Sequence, residues 1–178
     1  LCQYINFARM WGIRYYLARD LADRLDINLA KWKRWSREFL PPDPLGGLQS
    51  GFARQYSPKE AFLVAFGGFL VGELKFNVQE ARVILKDLSP WLRQSGYLGR
   101  RINGGDGADD SAAGHEMIFL RPPSGNAAGF EYWLAPGGIG RGGGGLGNDL
   151  DEDSFFSDPR IRAISVGAFQ KRFSEFTK

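Results

Sequence analysis

The stretch "NLAKWKRWSREFLPP", residues 28–42, decides how the first part of this chain folds. It holds four basic side chains and two tryptophans in fifteen positions, and it stops at a double proline. Asn28 is a favoured residue at the position before a helix, and Pro41 disfavours helical backbone in the residue before it. The stretch therefore predicts a helix that starts after Asn28 and runs to about Glu38.

Such a helix has two different faces. Trp32, Trp35 and Phe39 lie three or four residues apart, so they share one face. The other face carries three cations at a spacing of three: Lys31, Arg34 and Arg37. We expect the aromatic face to pack against the body of the protein and the cations to point outward.

The residues before this stretch predict a second short helix, from Tyr16 to Leu25, with apolar and charged residues on opposite faces. Only Asp26, Ile27 and Asn28 separate the two predicted helices. Two short helices joined by such a turn form a helix-turn-helix, whose second helix enters the major groove of DNA.

The residues after the double proline predict a hairpin and two further helices. "LGGLQSGFARQY" has glycines around short apolar positions, as a small hairpin would. "SPKE", residues 57–60, is a capping box that opens a largely apolar helix to about Val71. "NVQE", residues 77–80, opens another helix to about Leu88, with Pro90 near its end.

The composition changes after Trp91, and residues 96–114 are polar and glycine-rich, as a linker is. "HEMIFLR" and "GFEYWLA" predict the two strands of a hairpin, "RIRAISV" a further strand and "AFQKRFSEF" a closing helix. The predicted class is α+β. Its predicted parts are a four-helix domain with a hairpin at 1–95, a linker at 96–114 and a small α+β segment at 115–178.

Charge is divided unevenly along the chain. Residues 1–100 hold 15 Lys and Arg against 9 Asp and Glu, a net charge of +6, whereas the rest hold 8 against 11, a net charge of −3. A basic half suits a polyanionic partner, although a solvated basic surface has the same composition. The chain begins at Leu1 without a signal-peptide pattern, which fits a cytoplasmic protein or a trimmed fragment.

The sequence gives little support for other classes of protein. Cys2 and His115 are the only residues of their types, so one chain can form neither a disulfide nor a zinc site of such ligands. There is no apolar run of roughly 18 residues for a membrane span. "GIGRGG" at 138–143 has no amphipathic helix after it, and "DLDEDS" at 149–154 fits a solvated acidic loop better than a calcium site. We expect no enzyme, no metal and no cofactor.

The basic helix and its neighbours resemble the DNA-binding domain of the MerR family of bacterial transcriptional regulators, a winged helix-turn-helix. "DLADRLDINLAKWKRWSREFLPPD" follows the first two helices of that family without a gap. "ARQYSPKEA" resembles the end of the wing and the start of the third helix, and "ELKFNVQEARVIL" the turn into the fourth. The similarity covers residues 15–88, and four motifs occur in the family's order.

This chain departs from the family pattern at several positions. Asp26 and Lys75 each stand where the family has a glycine in a turn, and Lys33 replaces an Arg. The family's long dimerisation helix is not expected here, because Pro90 and Gly96 interrupt the helical pattern. Whether two copies pair as a homodimer therefore stays open. The metal-sensing cysteines of the family are absent.

The resemblance implies a sequence-specific regulator that reads double-stranded DNA with the helix 28–38 and holds the backbone with the wing 46–56. Lys31, Arg34 and Asn28 would face base edges. Phosphates would be held by Lys33, Arg37, Arg54 and Tyr56, with Arg19 as a further candidate. The C-terminal segment would bind an effector or a partner.

Two other interpretations fit the sequence. A DNA-bending architectural protein of the excisionase kind, found in phages and mobile elements, uses a similar winged helix. A protein-interaction module would instead dock another chain on its Trp and Phe surfaces, and its positive charge would be incidental. Dependence of duplex binding on salt separates this module from both DNA-binding alternatives.

Overall fold

The computed structural model describes residues 15–43, 53–98, 116–123, 129–136 and 152–177. Within these ranges the chain forms six helices and five strands, so the predicted α+β class is confirmed. In chain order they are β1 (Tyr16–Leu17), α1 (Ala18–Arg24), α2 (Leu29–Phe39), β2 (Gln55–Tyr56), α3 (Pro58–Gly72), α4 (Val78–Gln94), β3 (Glu116–Arg121), β4 (Glu131–Pro136), α5 (Glu152–Phe156), β5 (Arg162–Ser165) and α6 (Val166–Thr177).

The chain divides into two compact units. The first comprises Leu1–Gly105 together with Phe173–Lys178, and the second comprises Asp106–Arg172. The sequence predicts that a linker begins at residue 96, but Tyr97 is fully buried and Leu98 is nearly so. The packed part of the first unit therefore extends beyond residue 95.

The turn between α1 and α2 closes the first helix with a left-handed residue. Asp26 has a φ of 52°, and the Ile27 N–H donates to the Ala22 carbonyl at 2.9 Å. This hydrogen bond, with the left-handed residue just before its donor, is the Schellman ending of a helix. The short connection thus uses backbone groups that the end of α1 would otherwise leave without partners.

Helix α2 begins and ends where its sequence predicts. The Asn28 side chain accepts hydrogen bonds from the backbone N–H groups of Ala30, at 2.9 Å, and Lys31, at 3.3 Å. Leu40 is extended, with φ −116° and ψ 155°, because the ring of Pro41 disfavours helical backbone before it.

Helices α3 and α4 each begin with a capping box, at Ser57–Glu60 and at Asn77–Glu80, as predicted. Helix α4 does not end near Leu88, however, but continues through Pro90 to Gln94. Proline removes one helical hydrogen bond. Leu88 and Leu92 are both fully buried on either side of Pro90, and the burial of these side chains offsets that loss.

The predicted first helix is shorter than expected, since Tyr16 and Leu17 form β1 instead of its first turn. Tyr16 pairs with Tyr56 and Leu17 with Gln55 in an antiparallel ladder. The predicted wing lies partly outside the described residues, which stop at 43 and resume at 53. Within the described ranges, the strand partner of β2 is β1.

In the second unit, β3 lies between β4 and β5 in an antiparallel sheet, and the predicted hairpin and strand are confirmed. Ile118 is opposite both Leu134 and Ile164, and all three are buried. Part of the expected acidic loop is instead helical, because α5 begins at Glu152. Its Phe155 is fully buried and contacts the Trp133 ring.

Candidate nucleic-acid interface

The inner face of α2 is packed by aromatic side chains, as its spacing predicts. Trp32 is fully buried and meets the Tyr56 ring edge to face, with centroids 5.8 Å apart. Trp35 is also buried, whereas Phe39 is half-buried. Burial of two indole rings anchors the helix to the body of the first unit.

Two adjacent glycines in α3 make room for this face. A side chain at Gly67 would overlap the ring of Phe39, and one at Gly68 would overlap the ring of Trp35. The two helices therefore approach at a point where only hydrogen atoms separate the α3 backbone from the rings. Adjacent glycines inside an apolar helical run are the sequence signal for such a close approach.

The outer face of α2 carries exposed positive charge. Each residue turns a helix by about 100°, so its cations lie within an arc of about 160°. Lys33, Arg34 and Arg37 lie away from the buried tryptophans, and Lys31 is at the edge of the arc beside Trp35. The exposed Ala30 lies within the same arc and leaves space between the longer side chains. We call the following four exposed residues the outer cations: Lys31, Lys33, Arg34 and Arg37.

Two contacts shape the electrostatics of this face. The Lys31 ammonium lies 4.8 Å from the centre of the Trp35 ring, where the ring's electron density attracts it. Glu38, the one acidic residue of α2, pairs with Arg82 of α4 at 2.6 Å. Arg82 also donates from Nε to the Glu38 carbonyl at 2.8 Å. The single negative charge of α2 is therefore balanced by a neighbouring helix.

Tyr56, an expected phosphate contact, lies in the core instead. Its side chain is 2% exposed, and its hydroxyl is 3.0 Å from the Ser36 Oγ. Ser36 is itself buried on the inner face of α2. The expectation that Tyr56 holds a phosphate is corrected, since its hydroxyl joins β2 to α2 inside the first unit.

Arg54, another expected phosphate contact, forms a hydrogen bond and an ion pair with neighbouring groups. Its Nη1 donates to the Pro41 carbonyl at 3.0 Å, and its Nη2 is 3.1 Å from a carboxylate oxygen of Glu60. Burial alone raises the pKa of Glu60, but hydrogen bonds from Ser57 and Arg54 together bring it below its usual value. Arg54 thus ties the segment after α2 to the start of α3.

The two remaining predicted contacts occupy different places. Arg19 is exposed on α1, the helix that buries Leu21 and Ala22. Asn28 is exposed, but its Oδ1 is occupied by the cap of α2. The structure thus brings the outer cations together on one helix, with Arg19 on the preceding helix.

Two residues other than glycine have a left-handed backbone conformation in the described ranges. Among the described residues, a positive φ occurs outside glycine at Asp26, with 52°, and at Lys75, with 62°. Left-handed backbone favours glycine, because a Cβ atom crowds the neighbouring carbonyl oxygen. At these two positions the resemblance to the MerR family leads us to expect glycine.

Arg82 balances the negative charge of α2, although the sequence did not predict this role. Its partner Glu38 lies 44 residues earlier in the chain, so no local spacing connects the two. The sequence also did not predict that Gly67 and Gly68 contact the rings of α2, although the two glycines are adjacent in it.

Comparison with protein-family models, with curated proteins and with solved structures found no match. None of the helices in the described ranges combines the length and the apolar character that a bilayer crossing requires.

Proposed function

We propose that this protein is a sequence-specific, double-stranded DNA-binding regulator of the MerR type that inserts α2 into the major groove. The observation that carries the proposal is the exposed arc of outer cations, backed by the buried tryptophans of the same helix. A helix about 10–12 Å in diameter fits a major groove about 12 Å wide.

The proposed roles follow from chemistry and position. Arg34 and Lys31 donate to guanine O6 and N7, the commonest specific contact in the major groove. Lys33 and Arg37, which share one side of the arc because they are four residues apart, neutralise phosphates, and Arg19 does so from α1. Ala30 lets the helix approach the bases closely. Segment 46–56 is proposed as a wing, with Arg54 fixing its end beside α3 instead of binding a phosphate.

The turn conformations support the MerR-type assignment. The resemblance predicts turn glycines after the first helix and before the fourth, and glycine is the residue that most readily adopts left-handed backbone. Asp26 and Lys75 have that conformation without being glycines. Residues that adopt a disfavoured φ at both family glycine positions are an independent sign of the same backbone path.

A salt titration on duplex DNA tests the proposal. Affinity for a random duplex should fall steeply between 50 and 200 mM salt, because each neutralised phosphate adds about 0.9 to the logarithmic slope. Arg37→Gln should lower the slope by about one unit. Arg172→Gln, which removes an exposed cation from α6, is the matched control and should leave the slope unchanged.

Selection of bound duplexes from a random library then tests sequence reading. With the selected site, Arg34→Gln should cost about 1–3 kcal/mol and relax the preference at one base pair. A single palindrome would support the regulator, whereas clustered direct repeats with strong bending would support an excisionase-like architectural role. Absence of any salt slope would overturn DNA binding and favour a protein-interaction module.

A further inference from the structure

The first unit contains a cavity of about 400 Å³ beside the C-terminal end of α2, between α2, α3 and α4. This volume lies within the range of about 300–1,000 Å³ that is usual for small-molecule sites. Its lining residues come from all three helices, with Glu38 and Phe39 on α2, Leu63 on α3 and the others on α4.

The wall of the cavity has an apolar part and a polar part. Phe39, Leu63, Leu85 and Pro90 supply hydrocarbon surface from the three helices. Apart from Glu38 of α2, the polar side chains lie on α4 at intervals of three or four residues, so they form one row along that helix. In order, this row consists of Arg82, Lys86, Ser89 and Arg93.

The charges of the row are not balanced. Glu38 neutralises Arg82 through an ion pair at 2.6 Å. Lys86 and Arg93 are exposed, and within the part of the chain that the structure describes neither forms an ion pair or a side-chain hydrogen bond. The cavity therefore keeps two positive charges, with the Ser89 hydroxyl between them along the helix.

We infer that this cavity is a binding site for a small organic anion with an apolar body, such as an aromatic carboxylate. Lys86 and Arg93 would hold the anionic group, and Phe39, Leu63 and Leu85 would pack against the body. A DNA phosphate or an acidic protein segment would use the charges but would have no need of a concave apolar wall. The site does not depend on the proposed DNA binding.

The experiment compares two probes of nearly the same shape, 2-naphthoate and its uncharged analogue 2-naphthamide, by calorimetry and by amide chemical shifts of the whole chain. We expect saturable binding of 2-naphthoate that moves the amide signals of residues 38–39 and 82–93. The naphthamide should bind about tenfold more weakly, because it loses the charge-assisted hydrogen bonds.

Three variants locate the site. The double variant Lys86→Gln/Arg93→Gln should weaken 2-naphthoate binding about tenfold and leave the naphthamide unaffected. Ser89→Phe, which fills the cavity but keeps both charges, should abolish binding of both probes. Arg172→Gln on α6 should bind like the unchanged protein, and thermal melting establishes that each variant is folded.

Equal affinity for the two probes, or unchanged 2-naphthoate binding in the double variant, would overturn the inference. It would also be overturned if the double variant lost about two units of DNA salt slope while 2-naphthoate failed to bind. In that case the α4 row would belong to a phosphate-binding surface. Because the probes are titrated without DNA, loss of the DNA proposal alone would not alter these results.

Discussion

Two sets of side chains in the first unit carry the same positive charge but have different surroundings. Arg54 and Arg82 each pair with a carboxylate and donate to a backbone carbonyl, and both tie separate segments together. The outer cations lie on the exposed face of α2, where Lys31 rests on the Trp35 ring. We refer to Arg54 and Arg82 as the paired arginines.

The comparison shows that positive charge in a sequence does not by itself identify a binding residue. The resemblance to the MerR family predicts both Arg54 and Arg34 as DNA contacts. The hydrogen bonds of Arg54 to Pro41 and Glu60 nevertheless make it part of the fold. We therefore expect substitutions of the paired arginines to affect stability, and substitutions of the outer cations to affect binding.

The largest effect is expected where α3 supports the outer cations. Gly68→Ala places a methyl group inside the Trp35 ring, so the helices must separate and the free energy of unfolding should fall by about 1–3 kcal/mol. Gly72→Ala is the control, because a side chain there meets nothing within 4 Å. Urea unfolding measures the free energy of unfolding of both variants. Equal losses in Gly68→Ala and Gly72→Ala would contradict the close approach of α2 and α3.

The second prediction compares Arg54→Gln with Arg34→Gln. Loss of hydrogen bonds from Arg54 to Glu60 and Pro41 should lower the free energy of unfolding by about 1–2 kcal/mol at pH 7. Arg34→Gln should leave it unchanged and weaken only duplex binding. A stability loss confined to Arg34→Gln would reverse the assignment of the two sets.

The effect of Arg54→Gln should also depend on pH. The pKa of Glu60 is lower in the folded protein than in the unfolded chain, so its charged form stabilises the fold above the unfolded pKa. That contribution is lost as the pH falls through the folded pKa. The difference in the free energy of unfolding between the unchanged protein and Arg54→Gln should therefore be largest near neutral pH and shrink below about pH 4.

The third prediction concerns Tyr56. Tyr56→Phe removes the hydrogen bond to Ser36 and should lower the free energy of unfolding by about 0.5–1.5 kcal/mol, without changing the salt slope of duplex binding. Chemical denaturation and anisotropy on the same preparations check the two parts. A reduced slope with unchanged stability would return Tyr56 to the set of phosphate contacts.

The smallest effect is expected at a left-handed turn residue. Lys75→Gly should raise the free energy of unfolding by about 0.5–1 kcal/mol, because glycine adopts a φ of 62° without steric cost. This gain is reduced by loss of the exposed Lys75 hydrogen bond to the Gly72 carbonyl. Lys75→Ala, which keeps a Cβ atom, is the control and should give no gain.

Features set by neighbouring residues could be predicted from the sequence. The caps at Asn28, Ser57 and Asn77 each act on N–H groups within three residues. The two faces of α2 follow from its spacing, and the β3–β4 hairpin follows from two strand-forming runs close in the chain. Such features need no knowledge of the rest of the fold, because helical turns and short loops bring their partners together.

Features that depend on distant partners were decided only by the tertiary structure. Tyr56 bonds Ser36 from 20 residues away, and Arg82 bonds Glu38 from 44. Helix α4 continues through Pro90 because Leu88 and Leu92 are buried on either side of it, which local propensity cannot anticipate. The sequence determined where the charged and aromatic groups lie along each helix. Packing determined which of those groups are used to hold the molecule together, since that depends on which segments meet in space.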